Sequence, residues 1–363
     1  QFVSSGAIAK DKVFYRFSTQ YSDFEGLLTN EYLNEKVDFN TDFNVRGQVK
    51  ARITNKFTIS GTYQYFKIDG GAAYYSVNPT GFEGECPGGV LDPNPKEGNN
   101  VIVANELGMS DMFNNYGNIK MDYKLKNVEL QSITSFNKVD RSSFGDLDFL
   151  DLDLFTQSET SSTETFNQEF RVHNLNKNTK LDWSAGGFYQ NIKKDVYQSG
   201  TDSSFDPPEY EVADYLNETE TIALFGFLDY KITDKLTASA GFRYDIDKFS
   251  QEDYLFLTSS SRENNVFQPK VSLSYQASKS VLIFANYGKG YRNGGYNAEA
   301  TDLFNREFDD ETSDNYELGI KTTTWNDRLI LNGSVYTSKL KNQQQYILDL
   351  NTFIAGVYNL SLI

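Results

Sequence analysis

The feature that most constrains this chain is a strict alternation of apolar and polar residues in runs of about ten. Between Leu236 and Asp247 the even positions are Leu, Ala, Ala, Phe, Tyr and Ile, while the odd positions are Thr, Ser, Gly, Arg, Asp and Asp. Side chains alternate between the two faces of a strand, so this run predicts a strand with one apolar face and one charged face. The apolar face belongs either in a soluble protein core or in lipid.

Such runs recur in pairs, and each pair is joined by a few polar residues of the kind that tight hairpin turns require. The predicted turns cover residues 10–12, 54–56, 125–127, 175–180, 233–235, 277–280 and 325–328. Longer polar segments separate the pairs, at 22–40, 69–110, 143–160, 198–217, 250–262, 292–311 and 342–355. This asymmetry predicts an all-β fold, an antiparallel transmembrane β-barrel of about fourteen strands with short periplasmic turns and long extracellular loops.

Composition excludes several other classes of protein. The net charge of −16 argues against a basic surface for nucleic acid, and no apolar run is long enough for a membrane-spanning helix. A single His173 and a single Cys86 supply neither a zinc site nor a Cys–His catalytic pair. Nucleotide-binding loops and serine-nucleophile elbows are also missing from the sequence. We therefore predict a protein that is not an enzyme and needs no cofactor or metal.

Both ends of the sequence lie in predicted strands, at Gln1 and near Ile363. An open sheet edge in hydrocarbon leaves backbone groups unpaired, at a cost of several kcal/mol each. Either these strands close among themselves or the natural chain continues past both ends, and we expect the second.

Two consecutive segments carry a resemblance to a known family. Residues 287–297 read YGKGYRNGGYN, and residues 308–321 read FDDETSDNYELGIK. Weaker matches are QEFRV at 168–172, the strand from Trp183 to Tyr189, and residues 233–245. In order and spacing these segments resemble the barrel of TonB-dependent outer-membrane receptors of the ferric-siderophore type. One departure is Asp310, which precedes Glu311 where such receptors commonly have proline.

The resemblance implies a barrel of about 22 strands with an N-terminal plug in its lumen. Residues 1–363 then form a transmembrane portion of about fourteen strands, and the plug and the final strands lie outside this sequence. It also implies location in the bacterial outer membrane and import of a scarce solute, with a ferric siderophore favoured. The implied partners are the TonB–ExbB–ExbD complex, reached through the missing N-terminal region, together with outer-membrane lipid and lipopolysaccharide.

Candidate ligand-binding residues lie in the Gly-Gly segment and in the longest loop. Arginine suits an anionic chelate and aromatic rings suit its organic faces. The candidates are Tyr291, Arg292, Asn293, Tyr296, Asn297, Tyr74 and Tyr75. The alternative is that the Gly-Gly segment is a structural bend and that the long loop makes no specific contact.

Charged residues on the polar strand faces are predicted to line the lumen, where they either contact a plug or are simply solvated. They are Arg16, Arg46, Lys50, Arg52, Glu169, Arg171, Arg243 and Asp245. His173 is expected to be one more polar residue of this face. The acidic segment 144–155 carries four aspartates but lacks EF-hand spacing, so a solvated acidic loop is favoured over a calcium site.

Three further functions remain open at the level of sequence. The first is TonB-dependent uptake of another solute, such as cobalamin, haem or a glycan, although a single histidine argues against haem. The second is a passive porin-like channel. The third is a soluble carbohydrate-binding β-protein, in which the apolar face would be buried against protein.

Overall fold

The computed structural model describes residues 1–72, 102–176, 179–297, 300–326, 328–349 and 354–360. These residues form one large antiparallel sheet of fourteen strands in chain order, with three two-stranded pairs beside it. The sheet strands are β1 (Phe2–Ala9), β2 (Val13–Phe24), β5 (Asn40–Arg52), β6 (Phe57–Gly71), β7 (Met109–Lys124), β8 (Val128–Asp146), β9 (Phe155–Asn174), β10 (Leu181–Asp202), β11 (Glu209–Lys231), β12 (Leu236–Asp253), β13 (Thr258–Ser278), β14 (Val281–Arg292), β17 (Glu311–Thr324) and β18 (Leu329–Lys341). The short pairs are β3 (Thr29–Asn30) with β4 (Glu35–Lys36), β15 (Gly295–Tyr296) with β16 (Glu307–Phe308), and β19 (Gln343–Asp349) with β20 (Ile354–Leu360).

The predicted fold class is confirmed: the described residues contain strands and no α-helix, and the long sheet is antiparallel throughout. No helix that is long and apolar enough to cross a membrane occurs in the described ranges. All seven predicted turns separate consecutive strands of the sheet. At two of them a threonine hydroxyl accepts the backbone N–H groups two and three residues later, Thr54 between β5 and β6 and Thr233 between β11 and β12. This local hydrogen bonding explains why these short polar sequences turn the chain.

The strand register divides the sheet into two chemically different faces. Phe170, Leu224 and Phe267 lie on one cross-strand row, and these side chains are 61%, 62% and 52% exposed. The neighbouring residue on each strand points to the opposite face. On that face Ala223 and Asp245 lie opposite each other and are 2% and 4% exposed. We call the first the outer face and the second the inner face. Large apolar side chains exposed in such numbers are typical of a surface that contacts lipid.

The extent of several strands was predicted wrongly. Segments 198–217 and 250–262 were expected to be loops, but β10 to β13 continue through them and leave only residues 203–208 and 254–257 as connections. Segment 342–355 likewise contains most of the β19–β20 pair. These parts of the strands carry polar residues on both faces, because beyond the apolar band both faces meet water. The alternation on which the prediction rested is therefore interrupted there, as in residues 258–265, which are all polar.

A charge placed on the outer face tests this orientation. Leu224→Lys is expected to lower the free energy of unfolding in lipid by about 2–4 kcal/mol, because a lysine near the bilayer midplane loses its hydration. The measurement is equilibrium unfolding in lipid vesicles, with Leu257→Lys as the control because Leu257 is 88% exposed in the connection between β12 and β13. Equal effects of the two substitutions would contradict the assignment of the outer face.

Candidate functional site

The loop end of the sheet is irregular between β13 and β14. Pairing of these strands ends at Lys270 opposite Gly288, whereas β13 stays paired with β12 as far as Thr258. The residue next to Lys270 is Pro269, which has no N–H to donate to a ladder. Beyond this point β13 contacts residues of the segment 293–310, which we call the rim segment and whose described residues include β15 and β16.

One carboxylate fixes the rim segment against β13. Asp310 Oδ1 accepts hydrogen bonds from Arg262 Nη2 at 2.9 Å, from Asn264 Nδ2 at 2.9 Å and from the Gly294 N–H at 2.7 Å. Arg262 Nη1 also donates to the Phe308 carbonyl at 2.9 Å. Asp310 is the residue that departs from the proline of the resembling family. Here it is the acceptor that joins three segments of the chain.

Gly294 must be glycine because the backbone approaches its neighbours closely. A Cβ added there would lie 2.3 Å from both Arg262 Nη1 and the Phe308 carbonyl oxygen. Tyr291 lies next to this contact, and its hydroxyl accepts from Asn264 Nδ2 at 3.2 Å and donates to Asn293 Oδ1 at 2.5 Å. Burial, and then the Asp310 carboxylate, raise the pKa of Tyr291 far above its ordinary value. The Tyr291 hydroxyl therefore links β13 to Asn293 through hydrogen bonds.

Two further residues of the rim segment, Tyr296 and Arg306, contact the inner face. The Tyr296 ring stacks on Phe249 of β12, with ring centroids 5.9 Å apart, and Arg306 approaches Asp253 at 3.5 Å. Asn297, 5% exposed, donates to the carbonyls of Asn305 and Val357 and accepts the Val357 N–H, each at 2.7 Å. These bonds hold the rim segment to β20. The side-chain amide of Asn297 therefore makes its hydrogen bonds with other groups of the protein.

The structure brings five of the seven predicted ligand-binding residues into one region. Tyr291, Tyr296 and Asn297 are partly or fully buried there, whereas Arg292 and Asn293 are exposed. Tyr74 and Tyr75, like Cys86, lie outside the described residues. Arg262, Asn264, Phe249 and Arg306 were not predicted from the sequence. The acidic departure at Asp310 was a sequence signal for the contact that Arg262 and Asn264 make, but no sequence signal pointed to Phe249 or Arg306.

All eight residues predicted to line a lumen lie on the inner face according to the strand register; they are Arg16, Arg46, Lys50, Arg52, Glu169, Arg171, Arg243 and Asp245. Arg243 pairs with Asp245 at 2.6 Å and covers the Phe188 ring at 5.1 Å. Arg171 pairs with Glu169 at 2.7 Å. His173 lies 3.9 Å from Glu129 on the same face.

The inner-face cations differ in what they contact. Arg52 covers the Phe14 ring at 5.2 Å. In contrast, Arg16, Arg46 and Lys50 have no ion pair with any of the described residues. Arg52 has no ion pair with the described residues either, so the inner face near β2 and β5 presents four cations without a carboxylate partner, whereas Arg171 of β9 and Arg243 of β12 are paired.

The acidic segment after β8 is shaped by its own carboxylates. Asp146 Oδ1 accepts the N–H groups of Asp148 and Phe149, while Asp148 accepts those of Leu150, Leu154 and Phe155. The described residues contain no group of three or more His, Cys, Asp or Glu side chains placed to hold a metal ion. These hydrogen bonds give the two aspartates a structural role in the loop.

Asp310→Asn tests the contact that fixes the rim segment. The substitution removes the charge that Arg262 faces across 2.9 Å, so the rim segment should detach more often from β13. We expect proteolytic cleavage within residues 293–310 to become about tenfold faster, which corresponds to a loss of about 1.4 kcal/mol. Asp309→Asn is the matched control, because that carboxylate is exposed and makes no hydrogen bond within the described part of the chain. Unchanged cleavage in Asp310→Asn would contradict this role.

Asp146 provides a test by pH. Burial, and then the Asp148 carboxylate, raise the pKa of Asp146 from 3.8 to about 6. Between these values the folded state binds more protons than the unfolded state, so stability falls as the pH rises through this window. Asp146→Asn should therefore raise the Tm at pH 7.5 by about 2 °C and leave it unchanged at pH 3, which is below both pKa values. Asp151→Asn, at an exposed position of the same loop, is the control. An equal shift at both pH values would exclude titration of Asp146 as the cause.

Sequence comparison with known proteins finds receptors that are similar to parts of this chain. Pesticin receptor from Yersinia enterocolitica is 26% identical over 192 residues, which are 49% of this chain and 27% of that protein. Metal-pseudopaline receptor from Pseudomonas aeruginosa is 34% identical over 86 residues, or 23% of this chain and 11% of that protein. The chain thus spans about a quarter or less of the length of these relatives.

Solved structures share the fold at low sequence identity. The ferric yersiniabactin uptake receptor from Yersinia pestis superposes with a TM-score of 0.75 at 15% identity, over 94% of this chain and 52% of that one. The ferric-catecholate import receptor from E. coli gives a TM-score of 0.74 at 12% identity, over 98% and 57% of the two chains.

A family match covers most of the sequence. Residues 54–360 match the family described as TonB dependent receptor-like, beta-barrel. Members of this family are outer-membrane transporters and not enzymes. The resemblance inferred from residues 287–321 is therefore confirmed, and this chain belongs to the TonB-dependent receptor β-barrel family.

Proposed function

We propose that this chain is the barrel portion of a receptor that captures a ferric siderophore outside the cell and imports it with energy from TonB–ExbB–ExbD. The chain covers about half of the solved receptors that share its fold, and among these are a ferric yersiniabactin uptake receptor, a ferric-catecholate import receptor and a siderophore receptor. The remaining parts, a plug and further strands, lie beyond residues 1–363 in this proposal. TonB is then reached through the N-terminal region that precedes the barrel.

The observation that carries this proposal is the rim segment. It is held on the inner face at the loop end of the sheet, which is the entrance for a solute that arrives from outside. Buried hydrogen bonds and stacking fix the segment from Tyr296 to Asn297, while Arg292 and Asn293 remain exposed beside it. An exposed guanidinium next to aromatic rings suits an anionic chelate with a planar organic part.

Positive charges on the inner face also support this proposal. Arg16, Arg46 and Lys50 supply positive charge that is uncompensated within the described residues. A plug with carboxylates at the matching height would compensate these charges by ion pairs and hydrogen bonds. In this arrangement the inner face binds the plug, and the rim binds the solute.

A second candidate is uptake of a metal chelate other than iron. It is favoured by the match to a metal-pseudopaline receptor and by the fold shared with a copper transporter at a TM-score of 0.69. Cobalamin, haem and glycans remain alternatives, as does a porin-like channel. The soluble carbohydrate-binding alternative is set aside, because the family is one of outer-membrane barrels.

Arg292→Gln in the receptor that contains this chain tests the proposed role of the rim. Loss of one charge-assisted bond should weaken binding of an anionic ferric siderophore about tenfold. The measurement is binding and uptake of radioactive iron complexes by cells that lack their own siderophore receptors, with nickel, zinc and copper chelates in parallel.

Arg328→Gln is the control, since Arg328 is exposed in the turn between β17 and β18 at the opposite end of the sheet. Uptake of another metal chelate but not of iron would support the second candidate. Equal affinity of Arg292→Gln and Arg328→Gln would contradict a role for the rim in binding.

A further inference from the structure

Residues 293 and 294 of the rim segment form an asparagine–glycine pair, and Asn293 is exposed to water. In such a pair the glycine amide nitrogen can attack the side-chain carbonyl carbon of the asparagine, because glycine has no side chain that obstructs the approach. The resulting cyclic imide expels the side-chain nitrogen as ammonia, and water then opens it to aspartate or isoaspartate. Both reacting atoms belong to neighbouring residues, so ring closure is intramolecular.

The attacking nitrogen faces a carboxylate. Gly294 N donates a hydrogen bond to Asp310 Oδ1 at 2.7 Å, and a carboxylate in this position accepts the proton as the nitrogen attacks. Arg262 and Asn264 donate to the same oxygen, each at 2.9 Å, which fixes Asp310 and also lowers its basicity. Asp310 is therefore a weak but firmly placed base at the attacking nitrogen.

The asparagine side chain is held at both of its polar atoms. The Tyr291 hydroxyl donates to Asn293 Oδ1 at 2.5 Å, where negative charge develops when the carbonyl carbon is attacked. Burial raises the pKa of Tyr291, so this hydroxyl keeps its proton at neutral pH. The amide nitrogen of Asn293 donates to the Asp247 carboxylate of β12. The surroundings thus supply a base for the nucleophile and a donor for the oxyanion.

We propose that Asn293 is a site of deamidation that the rim segment itself catalyses. Gly294 N bonds to Asn293 Cγ while Asp310 takes the proton of that nitrogen. Tyr291 stabilises the oxyanion that forms on Oδ1. The bond from Cγ to Nδ2 then breaks, and the proton held by Asp310 passes to the departing amino group, which leaves as ammonia. Water adds across one of the two C–N bonds of the imide, which gives aspartate or isoaspartate at position 293.

A second asparagine–glycine pair in the chain provides an internal comparison. Asn332 and Gly333 lie in β18 and are exposed, as Asn293 is. Gly333 is part of the ladder opposite Ile320 of β17. Among the described residues none donates a hydrogen bond to the Asn332 amide oxygen. The two pairs share the same reacting groups, so a difference in their rates reports the surroundings of Asn293.

Deamidation changes the charge at the attachment of the rim segment. The new carboxylate at position 293 cannot donate to Asp247, and it lies close to the carboxylates of both Asp247 and Asp310. Like charges in one place repel, so the rim segment should be held less firmly to β12 and β13. The same charge also opposes an anionic solute beside Arg292. This last effect rests on the proposed function, whereas the deamidation itself does not.

The test follows deamidation in the receptor that contains this chain, purified in detergent and kept at neutral pH, by mass spectrometry of its peptides. Asn293 should react about tenfold faster than in a synthetic peptide of residues 288–297, because the free peptide lacks the placed base and the oxyanion donor. Asn332 should react more slowly than Asn293. Hydroxylamine, which cleaves the chain at a cyclic imide, should cut the receptor at position 293. A rate at Asn293 no higher than that of the peptide would overturn the proposal.

Two variants separate catalysis from mobility of the chain. Tyr291→Phe and Asp310→Asn should each slow the reaction at Asn293 about tenfold, since each removes one of the two groups. Asp310→Asn also loosens the rim segment, so a reaction limited by mobility alone becomes faster in this variant, and that result would overturn the proposal. Asp309→Asn is the control and should leave the rate unchanged, because its carboxylate is exposed. No solute takes part in these measurements, so iron uptake can fail while deamidation proceeds, and the reverse.

Discussion

The structure depends on one constraint, the pairing of every backbone N–H and C=O group within the apolar band. Hydrocarbon offers no hydrogen-bonding partner, so each strand must pair with its neighbours over its full membrane depth. That pairing fixes the register, and the register assigns each side chain to a face. Lipid contact, lumen charge and rim geometry all follow from this assignment. A shift of β12 by one residue would place Asp245 in lipid and Tyr244 in the lumen.

Much of the fold could be predicted from the sequence because its determinants are local. Threonine-led turns, and alternation such as that of residues 236–247, depend on neighbours in sequence, and both were predicted correctly. Strand length beyond the apolar band could not be predicted, since between 198 and 217 polar residues interrupt the alternation on both faces. Those parts of β10 and β11 are held by backbone pairing between the two strands. Such pairing leaves no periodic pattern of apolar residues in the sequence of either strand.

The rim was predicted only in part, for a related reason. Residues 291–297 stood out as a motif, and the structure gathers them at one place. Their partners could not be inferred, because Arg262 and Asn264 meet Asp310 across 46 to 48 residues of chain. No short-range pattern identifies a contact of that range. The departure from the family at Asp310 was visible in the sequence, but its meaning required the end of the β13–β14 pairing at Lys270.

The Asn297–Val357 contact has a consequence for the order of assembly. These residues are 60 positions apart, so closing this loop costs conformational entropy that no nearby contact offsets. This entropic cost decreases only after β17, β18 and the β19–β20 pair have formed, because they bring Val357 close to the rim segment. The end of the rim segment at Asn297 is therefore held only once β20 is in place, whereas its contacts with β12 and β13 do not require β20. The state of the β19–β20 pair is in this way coupled to the loop end of the large sheet.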